Sequence, residues 1–248
     1  LLSRGLGDVY KRQSLNNPHP QKGFLYNGAK NPDLDRFFLS PSHYALTLYA
    51  ALIETKRLND KSLKEFNKDG SVLDMIGSEH SPGHETNGGS FGQTISQAAG
   101  VAWARRRKKE KGLVWLFLSD GEFQEGQTWE ALMSMAFHKI SNLKIVVDVN
   151  GQQVDGKTCD VMNLEPLLEK ISSFGACVKQ VDGHDLVALN NAFRTIHHDK
   201  PLVVLAKTSP FRGMEILEKR YPFLHYVRFK DKNEKEEFKS FLNDMKLR

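Results

Sequence analysis

A chain of 248 residues, 40% hydrophobic and 26% charged, can bury a substantial core and reads as one large α/β domain or two small ones. No apolar run reaches the roughly eighteen residues of a membrane span, no stretch reads as a secretory leader, and two cysteines, Cys159 and Cys177, make neither a disulfide framework nor a zinc spacing. A soluble protein of a reducing cytoplasm is expected, and the net charge of +5 does not indicate nucleic acid.

The first elements qualify that charge. Asp8-Val9-Tyr10-Lys11-Arg12-Gln13 matches one reading frame of a sequencing-library transposon end. Residues 1–13 are therefore read as translated adapter and 14–248 as the domain. Leaving out Arg4, Lys11, Arg12 and Asp8 lowers the net charge by two. A polar stretch runs to Asp33, and residues 44–53 read as a mostly buried helix capped by Ser42 or Ser40. A short helix is expected over 62–66. Residues 70–92, rich in Gly, Ser, His and Asn, make a long loop of the kind that often carries function. A helix over 93–109 puts Ile95, Ala98, Ala99, Ala102 and Trp103 on one face. It ends in Arg105-Arg106-Arg107-Lys108-Lys109, read as a solvated helix terminus that complements the macrodipole.

Beyond it the pattern alternates. Leu113-Val114-Trp115-Leu116-Phe117-Leu118 is a continuous apolar run, as a strand buried on both faces should be. A helix over 128–139 precedes a strand over 144–149. A helix over 164–174, a strand over 176–181, a helix over 186–197 and a strand over 202–206 follow. This alternation predicts a parallel β-sheet flanked by helices, with ligands bound beyond the carboxyl ends of its strands. A final amphipathic helix, 234–246, carries Phe238, Phe241, Leu242 and Met245 on one stripe and is expected to pack on its own domain.

Two strand ends hold the chemistry. Asp120-Gly121 and Asn150-Gly151 each follow a predicted strand, thirty positions apart, the length of one βαβ unit. Adjacent parallel strands would bring both side chains to one rim. A carboxylate, an amide oxygen and nearby carbonyls are hard ligands that suit Mg²⁺, which completes its octahedron with water and substrate phosphates. Gly121 permits close backbone approach, and loop amides around it can face an anion. Spacing alone does not separate this diphosphate site from ordinary strand-ending turns, which both dipeptides commonly make.

The residues between and around these ends resemble a known family. Ser119-Asp120-Gly121-Glu122-Phe123-Gln124-Glu125-Gly126, followed by Asp148-Val149-Asn150-Gly151-Gln152-Gln153-Val154-Asp155-Gly156, resembles the thiamine diphosphate motif. Trp129-Glu130-Ala131 and Val154-Asp155-Gly156-Lys157-Thr158 are similar to transketolase N-terminal halves. So are Val181-Asp182-Gly183-His184-Asp185 and Ala206-Lys207-Thr208. Upstream, Asp35-Arg36-Phe37-Phe38-Leu39-Ser40-Pro41-Ser42-His43 and Gly89-Ser90-Phe91-Gly92-Gln93 extend the resemblance to roughly residues 31–208.

The resemblance implies a thiamine diphosphate-binding fold, specifically its diphosphate-binding domain. Asp120, Asn150 and the carbonyl of Gln152 would hold Mg²⁺, or Ca²⁺ or Mn²⁺ in its place. Ser119, Gly121 and Glu122 would line the diphosphate, Gly121 through its amide. Val154 would wall the thiazolium, and Gly89, Ser90 and Phe91 would lie along the aminopyrimidine. His43 and His225 would sit near the diphosphate and the reacting carbon, where an imidazole can move protons near neutral pH. Glu125 and Glu130 would be interface carboxylates linking paired active sites. Their plainer reading is two acids on a first helical turn, which the dipole favours.

Several positions depart from the family. Ser119 replaces the first Gly of its GDG. Ser78 in Gly77-Ser78-Glu79-His80 stands where a His is usual, leaving His80 or His84 as substitutes. Ser209-Pro210-Phe211-Arg212-Gly213 and Phe223-Leu224-His225-Tyr226 replace a Gly-rich turn and a Trp-His-Gly.

By resemblance the cofactor does the hard chemistry, moving a two-carbon ketol unit from a ketose to an aldose. It is ionised with the help of a Glu on a pyrimidine-binding domain that the sequence does not contain. The expectation is one half of a dimer or heterotetramer, working with a pyrimidine-binding C-terminal transketolase subunit on sugar or sugar-phosphate substrates. Rival expectations are a transketolase-like synthase, the α chain of a 2-oxo acid dehydrogenase, a gene fragment, or a degenerate binding subunit.

Overall fold

The computed structural model describes residues 31–225 and 228–246. The adapter reading of residues 1–13 lies outside that range. Seven strands and seven α-helices are described. The strands are β1 (Arg36–Leu39), β2 (Val114–Ser119), β3 (Leu143–Val149), β4 (Gln152–Gln153), β5 (Gly156–Lys157), β6 (Cys177–Asp182) and β7 (Leu202–Lys207). The helices are α1 (Ala45–Glu54), α2 (Gln93–Arg107), α3 (Gly126–Phe137), α4 (Thr158–Val161), α5 (Leu167–Ser173), α6 (Leu186–Phe193) and α7 (Lys232–Lys246). Five strands form one sheet, ordered β1-β2-β3-β7-β6, and every pairing in it is parallel.

Strand alternation divides the core in two. In β2, Val114, Leu116 and Leu118 face one cluster while Trp115 and Phe117 face the other. In β7, Val203 and Leu205 face the first, Leu202, Val204 and Ala206 the second. Side chains of period two thus demand cover on both faces, and both receive it. Helices α2, α3 and α5 cover the first face with Ile95, Ala98, Leu132, Met135 and Ile171. The second is covered by α1 and α6, through Leu48, Tyr49, Leu52, Leu189 and Ala192. The expected α/β sandwich is therefore the observed one. At roughly 1.5–3 kcal/mol for each large side chain fully buried, this double burial is the dominant favourable contribution.

The structure also departs from the sequence reading. Residues 36–39 form an edge strand that no pattern announced. Asp35 anchors it by accepting the Leu113 amide (2.8 Å) and the Trp115 indole (2.9 Å). Where a short helix over 62–66 was expected there is a 3₁₀ turn, Asp60–Glu65, and α6 stops at Phe193 rather than 197. Arg105 is not solvated. It is buried, donates to the carbonyls of Pro32 and Leu34 (2.8 Å each) and pairs with Glu110 at 3.0 Å. Trp103, expected on the buried face, is instead exposed, with Arg107 over its ring at 5.5 Å. On α7 only Phe238 of the apolar stripe is buried, whereas Leu242 and Met245 are exposed. Among the described residues no helix is long and apolar enough to cross a membrane, and both cysteines are free.

Candidate functional site

The register of the central pair builds the site. Ser119 lies opposite Asp148, so Asp120 and Asn150 emerge from the carboxyl ends of neighbouring parallel strands. Asp120 opens a 3₁₀ turn, Asp120–Gln124, and is buried. Its Oδ1 accepts the Gly121 amide (2.9 Å); its Oδ2 accepts the Gly151 amide (3.2 Å) and the Thr158 hydroxyl (3.3 Å). Burial, aided by the Asp148 carboxylate, pushes Asp120 up to about 6 against the pull of the Gly151 and Gly121 amides.

Asn150 turns the other way. Its Nδ2 donates to Asp148 Oδ2 and to the Tyr44 phenol, both at 3.0 Å, while its Oδ1 accepts the Gln152 amide at 2.8 Å. Asn150 borders a cavity of about 510 Å³ shared with Tyr44, His184, Thr208 and Arg212. Asp120 borders one of about 220 Å³ shared with Gly151, Lys157, Thr158 and Tyr221. The two predicted metal ligands thus meet through the Gly151 backbone, not side chain to side chain. A cation shared by both would take Asn150 Oδ1 from the Gln152 amide.

The donor set fits such an ion. One carboxylate, made unstable as an anion by burial and by a second carboxylate, stands beside an amide oxygen and a turn of backbone carbonyls. That is the mixture Mg²⁺ takes when phosphates and water fill its remaining positions. Among the described residues no group of three or more His, Cys, Asp or Glu could hold a metal.

The other predicted residues surround the same rim. His43 sits in the 3₁₀ turn Ser42–Tyr44 that leads into α1. Its ring lies 5.8 Å from Phe91 and 6.4 Å from His225. Burial of the ring and the His225 imidazole both push His43 below its ordinary value. The 88–92 segment is pressed onto the end of β1: a Cβ on Gly88 would meet Ser42 Oγ at 1.8 Å. Phe91 and the Gln153 amide flank Gly121, at 3.9 and 3.6 Å from where its Cβ would be. Gly89 and Ser90 are exposed beside Phe91, and Val154 is exposed at the tip of the β4–β5 hairpin.

Glu122 bonds to three neighbouring segments of the rim. It is wholly buried, and its carboxylate accepts the Ser40 hydroxyl, the Ser119 amide (3.1 Å) and the Gly92 amide (3.4 Å). It fastens the ends of β1 and β2 to the start of α2, and burial pushes its pKa up. Glu125 and Glu130 are exposed at the start of α3. His80 is exposed and pairs with Glu79. His84 is enclosed under α1, fully buried, with no partner for either ring nitrogen.

Sequence reasoning passed over Tyr44, Asp148, Thr158 and Thr208. A signal existed for one of them: Asp148 is an acid inside an otherwise apolar strand, a residue type rarely buried unless paired.

A covered parallel sheet with polar groups gathered beyond two adjacent strand ends defines an α/β ligand-binding domain. The chain belongs to the transketolase family: the model for "transketolase, thiamine diphosphate binding domain" matches residues 9–214. It is 43% identical over 190 residues to an uncharacterised transketolase family protein of Sinorhizobium fredii, a match covering 75% of this chain and 68% of that one. It is 32% identical over 199 residues to one of the subunits of the apulose-4-phosphate transketolase of Actinobacillus succinogenes, covering 79% and 72%. The fold matches the transketolase structure from Campylobacter jejuni with a TM-score of 0.72 at 23% identity, covering 85% of this chain but only 33% of that one.

Proposed function

We propose that this chain is the diphosphate- and Mg²⁺-binding half of a thiamine diphosphate-dependent transketolase of the cytoplasm. It completes its active site with a pyrimidine-binding partner subunit in a dimer or heterotetramer. The observation that carries the reading is the buried Asp120 carboxylate at the end of β2, bonded to the Gly151 amide at the end of β3. Asp120, Asn150 and the Gln152 carbonyl would hold the ion, and the Gly121 amide, which now donates to Asp120, would be available to a phosphate oxygen. Ser119 flanks that turn, while Phe91, Gly89 and Ser90 would border the aminopyrimidine and Val154 the thiazolium. When bound, the cofactor supplies the carbon that carries a two-carbon ketol unit between a ketose and an aldose. His43 and His225, facing each other, hold and move protons there. Because His43 lies below its ordinary value, it stands neutral at pH 7, able to accept. Glu125 and Glu130 face a neighbouring subunit.

Support for a two-subunit enzyme comes from the Actinobacillus succinogenes relative, which is named as a single subunit of its transketolase and whose named substrate is also a sugar phosphate. The test is calorimetric titration of thiamine diphosphate into the chain with and without Mg²⁺, then a ketol-transfer assay with a pyrimidine-binding partner added. Binding that needs Mg²⁺ and weakens more than about 100-fold in Asp120→Ala is expected, an effect beyond that of losing a residue behind a ligand. Equal binding by the variant sinks the site, and full turnover by the lone chain sinks the partner.

A further inference from the structure

We propose that Tyr44, Asp148 and Thr208 form a clamp that holds the Asn150 amide one way round, so that its carbonyl oxygen alone can face a divalent cation. The inference rests on the Mg²⁺–diphosphate reading above and adds three positioning residues to it.

The argument is one of donors and acceptors. Three donors converge on the two oxygens of Asp148, which is 4% exposed. The Thr208 hydroxyl donates to Oδ1 at 2.5 Å; the Tyr44 phenol and Asn150 Nδ2 donate to Oδ2 at 3.2 and 3.0 Å. The Tyr44 oxygen, having given its hydrogen to Asp148, accepts from Asn150 Nδ2 at 3.0 Å. Both amide hydrogens of Asn150 are thereby spent, one on a carboxylate and one on a phenol. A flipped amide would turn its oxygen against Asp148 and lose both bonds, the one to the charged carboxylate being the stronger. Oδ1, the only atom of the amide that can ligate a cation, is left on the Gln152 side, where it now accepts the Gln152 amide.

The clamp is built from three separate elements. Thr208 follows β7, whose end is fixed to β3 by the Thr208 amide on the Val149 carbonyl (3.1 Å). Tyr44 precedes α1 and is steadied against Phe117, ring centroids 5.9 Å apart. Partners behind a metal ligand commonly change metal affinity 10- to 100-fold when removed.

Mn²⁺ serves as the probe, its binding to the full chain with saturating thiamine diphosphate read from the loss of the free-ion EPR signal. Tyr44→Phe and Thr208→Val should each weaken Mn²⁺ binding about 10-fold, with the melting temperature of the cofactor-free chain little changed. Thr208→Ser keeps the hydroxyl and should restore wild-type affinity. Wild-type affinity in both Tyr44→Phe and Thr208→Val, with loss in Asp120→Ala, overturns the clamp and leaves the metal site standing. Equal loss in Thr208→Ser and Thr208→Val also overturns it, since packing and not the hydroxyl would then be at work. A wild-type chain that takes up no Mn²⁺ with the cofactor overturns the metal site itself, and the clamp with it.

Discussion

Two buried polar regions of this chain are organised on opposite terms. Above β2 and β3, Glu122 takes three donors and Asp148 three more, so both carboxylates are held by bonds. Under α1, the His84 ring is equally buried yet has no partner on either nitrogen. It is held by fit: a Cβ on Gly77 would lie 2.0 Å from its Nε2, and Gly83 presses on Leu48 and Leu52. Burial alone therefore does not mark a working residue. What distinguishes the rim is that its partners come from β1, β2, β3, β7 and the start of α2, so that disturbing one side chain disturbs several segments.

The largest expected effect breaks the bonded region. Glu122→Ala removes the acceptor for the Ser40 hydroxyl and the Ser119 and Gly92 amides, stranding three donors in the interior. At about 1–3 kcal/mol for each unsatisfied group, with partial relief from relaxation, the loss should be about 4 kcal/mol. Urea denaturation would show it as a lower midpoint at unchanged slope. A midpoint within error of wild type would mean that Glu122 fastens nothing.

The fitted region should respond to acid instead. Burial pushes His84 down from 6.5 to about 4. The unfolded chain therefore binds the extra proton between those values. The stability tied to His84 is complete above about 6.5 and is lost as pH falls toward 4, amounting to about 3 kcal/mol. His84→Leu replaces a ring with two orphaned nitrogens by an apolar side chain of similar volume. It should stay within about 1.5 kcal/mol of wild type at neutral pH and lack this part of the acid slope. Identical slopes from pH 7 to 4 in both proteins would show that a partner reaches the imidazole after all. Glu122 carries the opposite sign: its value is raised, so its ionisation weakens the fold as pH rises.

The same contrast explains what could be read in advance. Strands β2, β3 and β7 were legible because burial on both faces requires mostly apolar runs, which Lys144 and Asp148 interrupt only in β3. The adjacency of the strand ends that carry Asp120 and Asn150 was legible because one βαβ unit of that length joins neighbouring strands. Strand β1 was not: four residues beside a polar stretch give no period to detect. Arg105 was misread because its neighbours Arg106 to Lys109 are indeed outside, and only the carbonyls of Pro32 and Leu34 reveal that it points in. The Tyr44–Asp148–Thr208 cluster joins positions 104 and 60 residues apart. It exists because the chain passes β6 at the sheet edge before returning to lay β7 against β3, and no local pattern announces that return.

The smallest expected effect falls where neither bonds nor fit operate. On α3, Met135 is 1% exposed within the core, while Phe137, two residues on, is 81% exposed. The helical turn of about 100° per residue carries the chain from the inner to the outer face over that interval. Met135→Ala empties a packed site and should cost about 2–5 kcal/mol. Phe137→Ser removes a larger side chain that loses almost no contact with water on folding, so its stability should stay within about 0.5 kcal/mol of wild type. A marked loss in Phe137→Ser at low protein concentration would show that the ring is covered by something in the isolated chain. A loss that grows with protein concentration would instead place its cover in a second chain, because only an association equilibrium makes apparent stability depend on concentration.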